Sequence, residues 1–259
     1  MRPSNSRRGD VPRLFRRKLA DMTVEPIKGP LTLDERQLDK WFVTDAQGAR
    51  VADDVLESMV TAMATARGHA DQLTALSRAL DADSSRSPEG RALELRQSAL
   101  RVGERGAKAL DTARARAAAK IKQIQAETAA PPPPKDAPVA LLEGEIRARL
   151  ASMTHDQRAE VVATAFEDGD DLVLGALLRG PAMLTGMTHA AREMHREHWR
   201  RERFPAESDR IARLEKALWV LDMGGEDFLG FVKRLSDAPA ALRAEQAAEA
   251  TAQALAAVA

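Results

Sequence analysis

The chain lacks cysteine and tyrosine altogether, and aromatic residues make up only 3% of its 259 positions. The absence of cysteine excludes disulfides, thiolate zinc ligands and thiol catalysis, and it favours a cytoplasmic location. Much of the 44% hydrophobic content is alanine. We therefore do not expect one deep core along the whole chain.

Long apolar runs are also absent. No segment approaches the roughly 18 apolar residues of a membrane span, so we expect no membrane partner. The N-terminus lacks the apolar stretch of a signal peptide. Lys and Arg total 39, and so do Asp and Glu. The net charge therefore favours neither nucleic acid nor a membrane surface.

Nucleotide-binding and hydrolase motifs are missing as well: there is no GxxxxGKS/T, no GxSxG, and no GxGxxG after a strand. We predict a non-enzymatic protein without a cofactor. His195 and His198 are three residues apart on a predicted helix, as metal ligands can be, but the arginines between and around them would repel a cation. The acidic run 167–171 resembles a calcium loop only in composition, and helix capping explains it better. We predict no metal site.

Residues 1–31 are predicted to form a basic flexible arm. Its candidate nucleic-acid contacts are Arg7, Arg8, Arg13, Arg16, Arg17 and Lys18. A plain disordered leader is the favoured interpretation, and a nucleic-acid or capsid-facing tail is the alternative. A translation start at Met22 is also left open.

Residues 32–130 carry two long helical patterns. Apolar residues recur at a spacing of three and four from about residue 52 to residue 80, and again from residue 95 to residue 124. Ser87 and Pro88 are suited to restart a helix between them. The first stretch is net acidic and the second net basic, which favours antiparallel pairing. Small residues in the second pattern, Gly106 among them, would let a partner helix approach closely.

A proline cluster at residues 131–138 predicts a polyproline linker and a domain boundary. Residues 139–236 predict a bundle of short helices, with Thr154, Asp170 and Thr188 as N-caps. Gly224 and Gly225 are expected to end one of these helices. Residues 237–259 are an Ala-rich tail, expected to be a frayed helix or disordered. The predicted fold is all-α: a long antiparallel, coiled-coil-like hairpin joined by the linker to a small bundle.

The loop 180–187 carries large apolar side chains although its glycines and proline mark a turn. Leu184 filling the bundle core is the favoured interpretation. The alternative is a partner-docking patch of Met183, Leu184, Met187 and Trp199, since Met adapts to irregular surfaces.

Four segments within residues 145–204 read EIRARLASM, AFEDGDDLVLGALL, GPAMLTGMT and RERFP. This pattern resembles small all-helical proteins of unassigned function encoded in tailed-phage and prophage genomes of GC-rich bacteria. The resemblance implies a phage context near head or assembly genes and no catalytic residues. Host cytoplasm or virion would then be the location.

The sequence therefore predicts a helical structural, assembly or interaction protein that binds a protein partner or associates with itself through helices. The alternative is a nucleic-acid-binding accessory protein that uses the N-terminal arm and the basic second hairpin helix.

Overall fold

The computed structural model describes residues 28–258, and over these residues the predicted all-α class is confirmed. The candidate nucleic-acid residues of the N-terminal arm lie outside the described residues. One isolated bridge, between Thr44 and Arg50, is the only β-type pairing in the described part. The helices are α1 (Asp54–Ala82), α2 (Pro88–Glu127), α3 (Ala137–Ser152), α4 (His155–Asp168), α5 (Asp171–Arg179), α6 (His189–Arg203), α7 (Pro205–Ser236) and α8 (Pro239–Val258), with 3-10 helices at Leu31–Leu33, Glu35–Trp41 and Ala182–Thr185.

The predicted helix starts are found where a short polar side chain accepts a hydrogen bond from a backbone amide of the first turn. Ser87 accepts from the amide of Gly90 at the start of α2, and Thr188 caps α6 through Ala191. Thr154 forms a full capping box with Gln157. Asp34 caps the 3-10 helix Glu35–Trp41 by accepting from the amide of Arg36.

Helices α1 and α2 run antiparallel. Arg116 lies 2.6 Å from Asp54 at one end of the pair, and Arg91 donates to the carbonyl of Leu80 at the other. Their facing side chains, which include Met59 and Leu110, are buried in one large core.

Helix α7 differs from the prediction. Gly224 and Gly225 do not end a helix, since α7 continues unbroken from Pro205 to Ser236. Neither glycine takes a positive φ. A Cβ on Gly224 would lie 3.2 Å from the carbonyl oxygen of Thr32, so this glycine makes room for the N-terminal 3-10 turn. Tertiary contacts thus outweigh the tendency of these two glycines to end a helix.

Helix α7 also joins the large core rather than the bundle predicted for residues 139–236. Leu214, Leu221 and Phe228 are buried together with the side chains of α1 and α2. The large core is therefore built from residues on both sides of the small bundle in sequence.

Two glycines of α2 determine how closely α7 packs. A Cβ on Gly103 would lie 2.6 Å from Cγ1 of Val232, and one on Gly106 would lie 2.5 Å from the ring of Phe228. Real Cβ atoms do not come that close to a neighbour, so only glycine allows this helix spacing. Because Phe228 is fully buried, its ring has no free space to move into.

The small bundle consists of α3 to α6. Helix α5 is its centre, and Leu174, Leu177 and Leu178 are fully buried there. They pack against Leu150 of α3 and Trp199 of α6.

The proline segment, predicted to be a polyproline linker, is held against the small bundle. Arg179 of α5 donates to the carbonyls of Pro131 and Pro132, at 2.6 Å each. The same guanidinium pairs with Glu143 of α3, whose side chain is 4% exposed. The segment is also shorter than expected, because Pro138 lies in the first turn of α3. Its carbonyls therefore dock it onto the small bundle.

The Ala-rich tail forms helix α8 through Val258. Ala241 and Ala244 are buried, and Arg96 of α2 lies 2.8 Å from Glu245. The first turns of α8 are therefore fixed to α2.

We predict that Gly106→Ala destabilises the protein. Overpacking a close-packed site costs about 1–3 kcal/mol, whereas replacing a helical glycine returns only about 1 kcal/mol. The free energy of unfolding should fall in urea titrations. Adding Phe228→Leu should recover part of the loss, because it removes the ring that the new methyl group meets.

Gly68→Ala in α1 is the matched control, since a Cβ there has nothing within 4 Å. It should stabilise the protein by up to about 1 kcal/mol. An equal gain in Gly106→Ala would contradict the close approach of α7.

Candidate helix-docking groove

The predicted docking patch is only partly present. Trp199 is 3% exposed and belongs to the small core, so its assignment to a surface is wrong. The bundle is large enough to enclose its indole ring. Met183 is 78% exposed and Leu184 is 48% exposed. Leu184 therefore does not fill the core, and Ala182 and Thr185 are the buried residues of the loop.

Met187, the remaining member of that patch, lines a different feature. An open groove of about 740 Å³ lies between α4 and α6. Apolar side chains from both helices and from the loop between them cover its inner surface: Ala159, Val162, Ala163, Phe166, Met187, Ala191 and Met194. Met194 is 60% exposed there.

Phe166 links the two walls of the groove. Its ring stacks on His195 with centroids 5.9 Å apart, and it meets His198 edge-on at 4.5 Å. Burial lowers the pKa of His195, and the nearby charge of His198 lowers it further. His198 also lies 3.3 Å from Glu202, one turn along α6.

The opposite face of α6 is held by its arginines. Arg192 donates to the carbonyl of Gly180 at 2.7 Å, and Arg196 donates to that of Leu178 at 2.6 Å. Both bonds satisfy carbonyls at the C-terminal end of α5, where a helix leaves its last acceptors unpaired. The arginines between the histidines are therefore structural.

Arg200, the next arginine on this face, joins the small bundle to α2. Its Nε donates to the hydroxyl of Thr128 at 2.8 Å, and its Nη2 donates to the carbonyl of Gln125 at 3.4 Å. Burial is the main reason that the pKa of Arg200 is lowered. The orientation of α6 is thus fixed from both neighbours.

Arg158 anchors α4, the helix on the other side of the groove, to its neighbours. It donates to the carbonyls of Leu150, Met153 and Gly186, with distances of 2.6 to 2.9 Å. These bonds connect α4 to the end of α3 and to the loop before α6. Both helices that bound the groove are therefore anchored to neighbouring elements.

The polar groups of the groove are structural or lie at its rim. Thr188 is committed to capping α6. Over residues 28–258, no three His, Asp or Glu side chains come together in a way that could hold a metal ion. Arg201 pairs with Glu197 at 2.9 Å on the rim. This combination suits an apolar surface of another molecule.

The acidic run and the basic second hairpin helix have their charges engaged within the chain. In the acidic run, Asp170 caps α5 and Asp171 lies 3.4 Å from Arg203. Several arginines of α2 are engaged within the chain, since Arg114 lies 2.8 Å from Asp222 of α7 and Arg96 is held by α8. Helix α2 therefore does not offer its full basic charge to a nucleic acid.

The sequence prediction missed the groove, although a signal was available. Residues 159, 162, 163 and 166 share one face of α4, and residues 187, 191 and 194 have helical spacing towards α6. Such stripes normally indicate core. What sequence does not reveal is that α4 and α6 each pack on α5 and leave these faces open.

Family models, curated proteins and solved structures show no significant match to this chain. The resemblance to phage proteins therefore stays a prediction. Among residues 28–258 no helix has the length and apolar character needed to cross a membrane.

We predict that acid weakens the small bundle through His195. Because its folded-state pKa is below the ordinary 6.5, the unfolded chain binds the proton more readily. The stabilisation is complete above about pH 6.5 and is lost as pH falls through that value towards the folded pKa. Melting curves by circular dichroism at about pH 7 and about pH 5 should show a smaller loss in His195→Gln than in the wild type.

His189→Gln is the control on the same helix, since the His189 side chain is 78% exposed. It should leave the pH dependence as it is in the wild type. An equal acid loss in wild type and His195→Gln would contradict a role for the half-buried imidazole of His195.

Proposed function

We propose that the protein is a non-enzymatic helical interaction protein, with a structural or assembly role, and that the groove between α4 and α6 docks an amphipathic helix of a protein partner. The observation that carries this proposal is the open apolar surface shared by Phe166, Met187 and Met194. Exposed apolar surface rimmed by polar groups is typical of interaction sites.

The composition of the groove supports a helix as the ligand. Alanines at positions 159, 163 and 191 leave room for a helix backbone, and larger side chains flank them. Amphipathic helices bind grooves of this kind through residues spaced three and four apart. The two methionines adapt to different partner side chains, because the unbranched thioether chain has several accessible rotamers.

The hydrogen bonds that anchor α4 and α6 keep the groove open, which favours binding of a partner over closure of the two helices onto each other. Hydrogen bonds from Arg158, at the groove lining, and from Arg196, on the far side of α6, hold α4 and α6 in position. A pre-formed groove binds at a lower entropic cost than one that must open. The phage assembly context rests on the sequence resemblance alone and belongs to this proposal.

A photo-reactive amino acid at position 194 tests the proposal in the cells that make the protein. We expect a covalent adduct with a protein, since Met194 is exposed at the groove. The same group in place of Glu104, an exposed residue of α2, should give no such adduct. Ala163→Arg, combined with the label at position 194, should abolish the adduct without lowering the melting temperature.

Equal adducts at positions 194 and 104 would contradict a docking role for the groove. So would a position 194 adduct that survives Ala163→Arg.

A further inference from the structure

The stripe of mostly apolar residues on α8 continues beyond the turns that pack on α2. Ala241 and Ala244 are buried, and the same spacing of three and four leads on to Ala248, Thr251, Leu255 and Val258, which are apolar except for Thr251. These later residues are all exposed, with Leu255 at 68% and Val258 at 86%. A stripe with this period is typical of a helix that packs on another helix.

This outer part of α8 has no partner within the described chain. Residues 246–258 carry Glu249 as their one charged side chain, so charge contacts do not hold them. An isolated helix of this length is marginal in water even when it is Ala-rich. A second helical surface that buries Leu255 and Val258 would stabilise it.

The tail cannot reach the groove of its own molecule. It leaves α2 near Arg96, whereas the small bundle joins α2 near Gln125. At ~1.5 Å per residue these two points of α2 are about 40 Å apart, while residues 246–258 of the tail span only about 20 Å. A tail that enters the groove must therefore come from a second copy.

Tail and groove match in length and in side-chain size. Helix α4 has 14 residues, which at ~1.5 Å per residue gives a wall of about 21 Å. The alanines of the tail can approach the alanines of the groove closely. Leu255 and Val258 would then contact the larger side chains there, such as Phe166.

The charges are compatible as well. On the groove rim, Arg201 pairs with Glu197 and His198 lies beside Glu202. A nearly uncharged helix can enter without separating these pairs. Among the described residues, Arg158 of the groove bonds to carbonyls and has no carboxylate within ion-pair distance. Glu249 would supply one.

We infer that residues 246–258 of one copy occupy the groove between α4 and α6 of a second copy. This inference rests on the proposed function, and it names the partner helix. Because the two surfaces differ, the contact is heterologous and propagates head to tail into chains or closes into rings.

Sedimentation velocity on two variants tests the inference. Leu255→Glu damages the tail and Ala163→Glu damages the groove; both residues are exposed, so both variants should fold. The wild type should form species larger than its 28.2 kDa monomer as its concentration increases. Each variant alone should stay monomeric. An equimolar mixture should form dimers and stop there, because one intact tail and one intact groove remain.

Gln253→Glu and Thr164→Glu are the controls, since they lie outside the stripe and the groove lining and are exposed. Both should associate like wild type. A wild type that is monomeric at all concentrations would overturn the inference. So would a groove variant that still associates while the tail variant does not, since tails would then pair with each other.

The photo-crosslink separates the two proposals. An adduct between position 194 and the tail of another copy supports both. An adduct with a different protein, together with a monomeric wild type, overturns the inference and keeps the docking function. If no position-specific adduct forms and the wild type is also monomeric, both proposals are contradicted.

Discussion

The close approach of α7 to α2 is the constraint on which the large core depends. At Gly103 and Gly106 the two helices are so near that Val232 and Phe228 occupy the space of a missing Cβ. This contact ties residues far apart in sequence into one unit, because the whole small bundle lies between α2 and α7. The small bundle is thus an insertion between two helices of the large core, and its ends are fixed by that core.

A second interaction, from arginine to carbonyl, recurs at the C-terminal ends of several helices. Arg91 reaches the end of α1, Arg158 the end of α3, Arg196 the end of α5 and Arg200 the end of α2. A guanidinium satisfies the unpaired acceptors and complements the negative end of the helix dipole. This use of arginine explains why a charged chain with few aromatic residues holds its helices in place. It also leaves the groove faces of α4 and α6 uncommitted.

Local features of the fold could be predicted from the sequence, and long-range ones could not. Caps such as Ser87 and Thr154 act within four residues, so their pattern is visible in the chain. Gly224 packs against the backbone of Thr32, almost two hundred residues away in sequence. Local rules instead predicted a helix end at Gly224. Trp199 was assigned to a surface because its burial depends on how α6 packs against α5. The apolar stripes of the groove were readable, but their exposure follows from three-dimensional packing alone.

Helix α7 belongs to the large core, while α3 to α6 form a unit inserted into it. This arrangement places the groove at one end of α2 and the tail at the other, so the docking proposals depend on it. Native-state hydrogen exchange at increasing denaturant resolves units that open together. The amides of α7 should exchange through the same opening as those of α1 and α2, and separately from α3 to α6. Exchange of α7 together with α3 to α6 would contradict this arrangement.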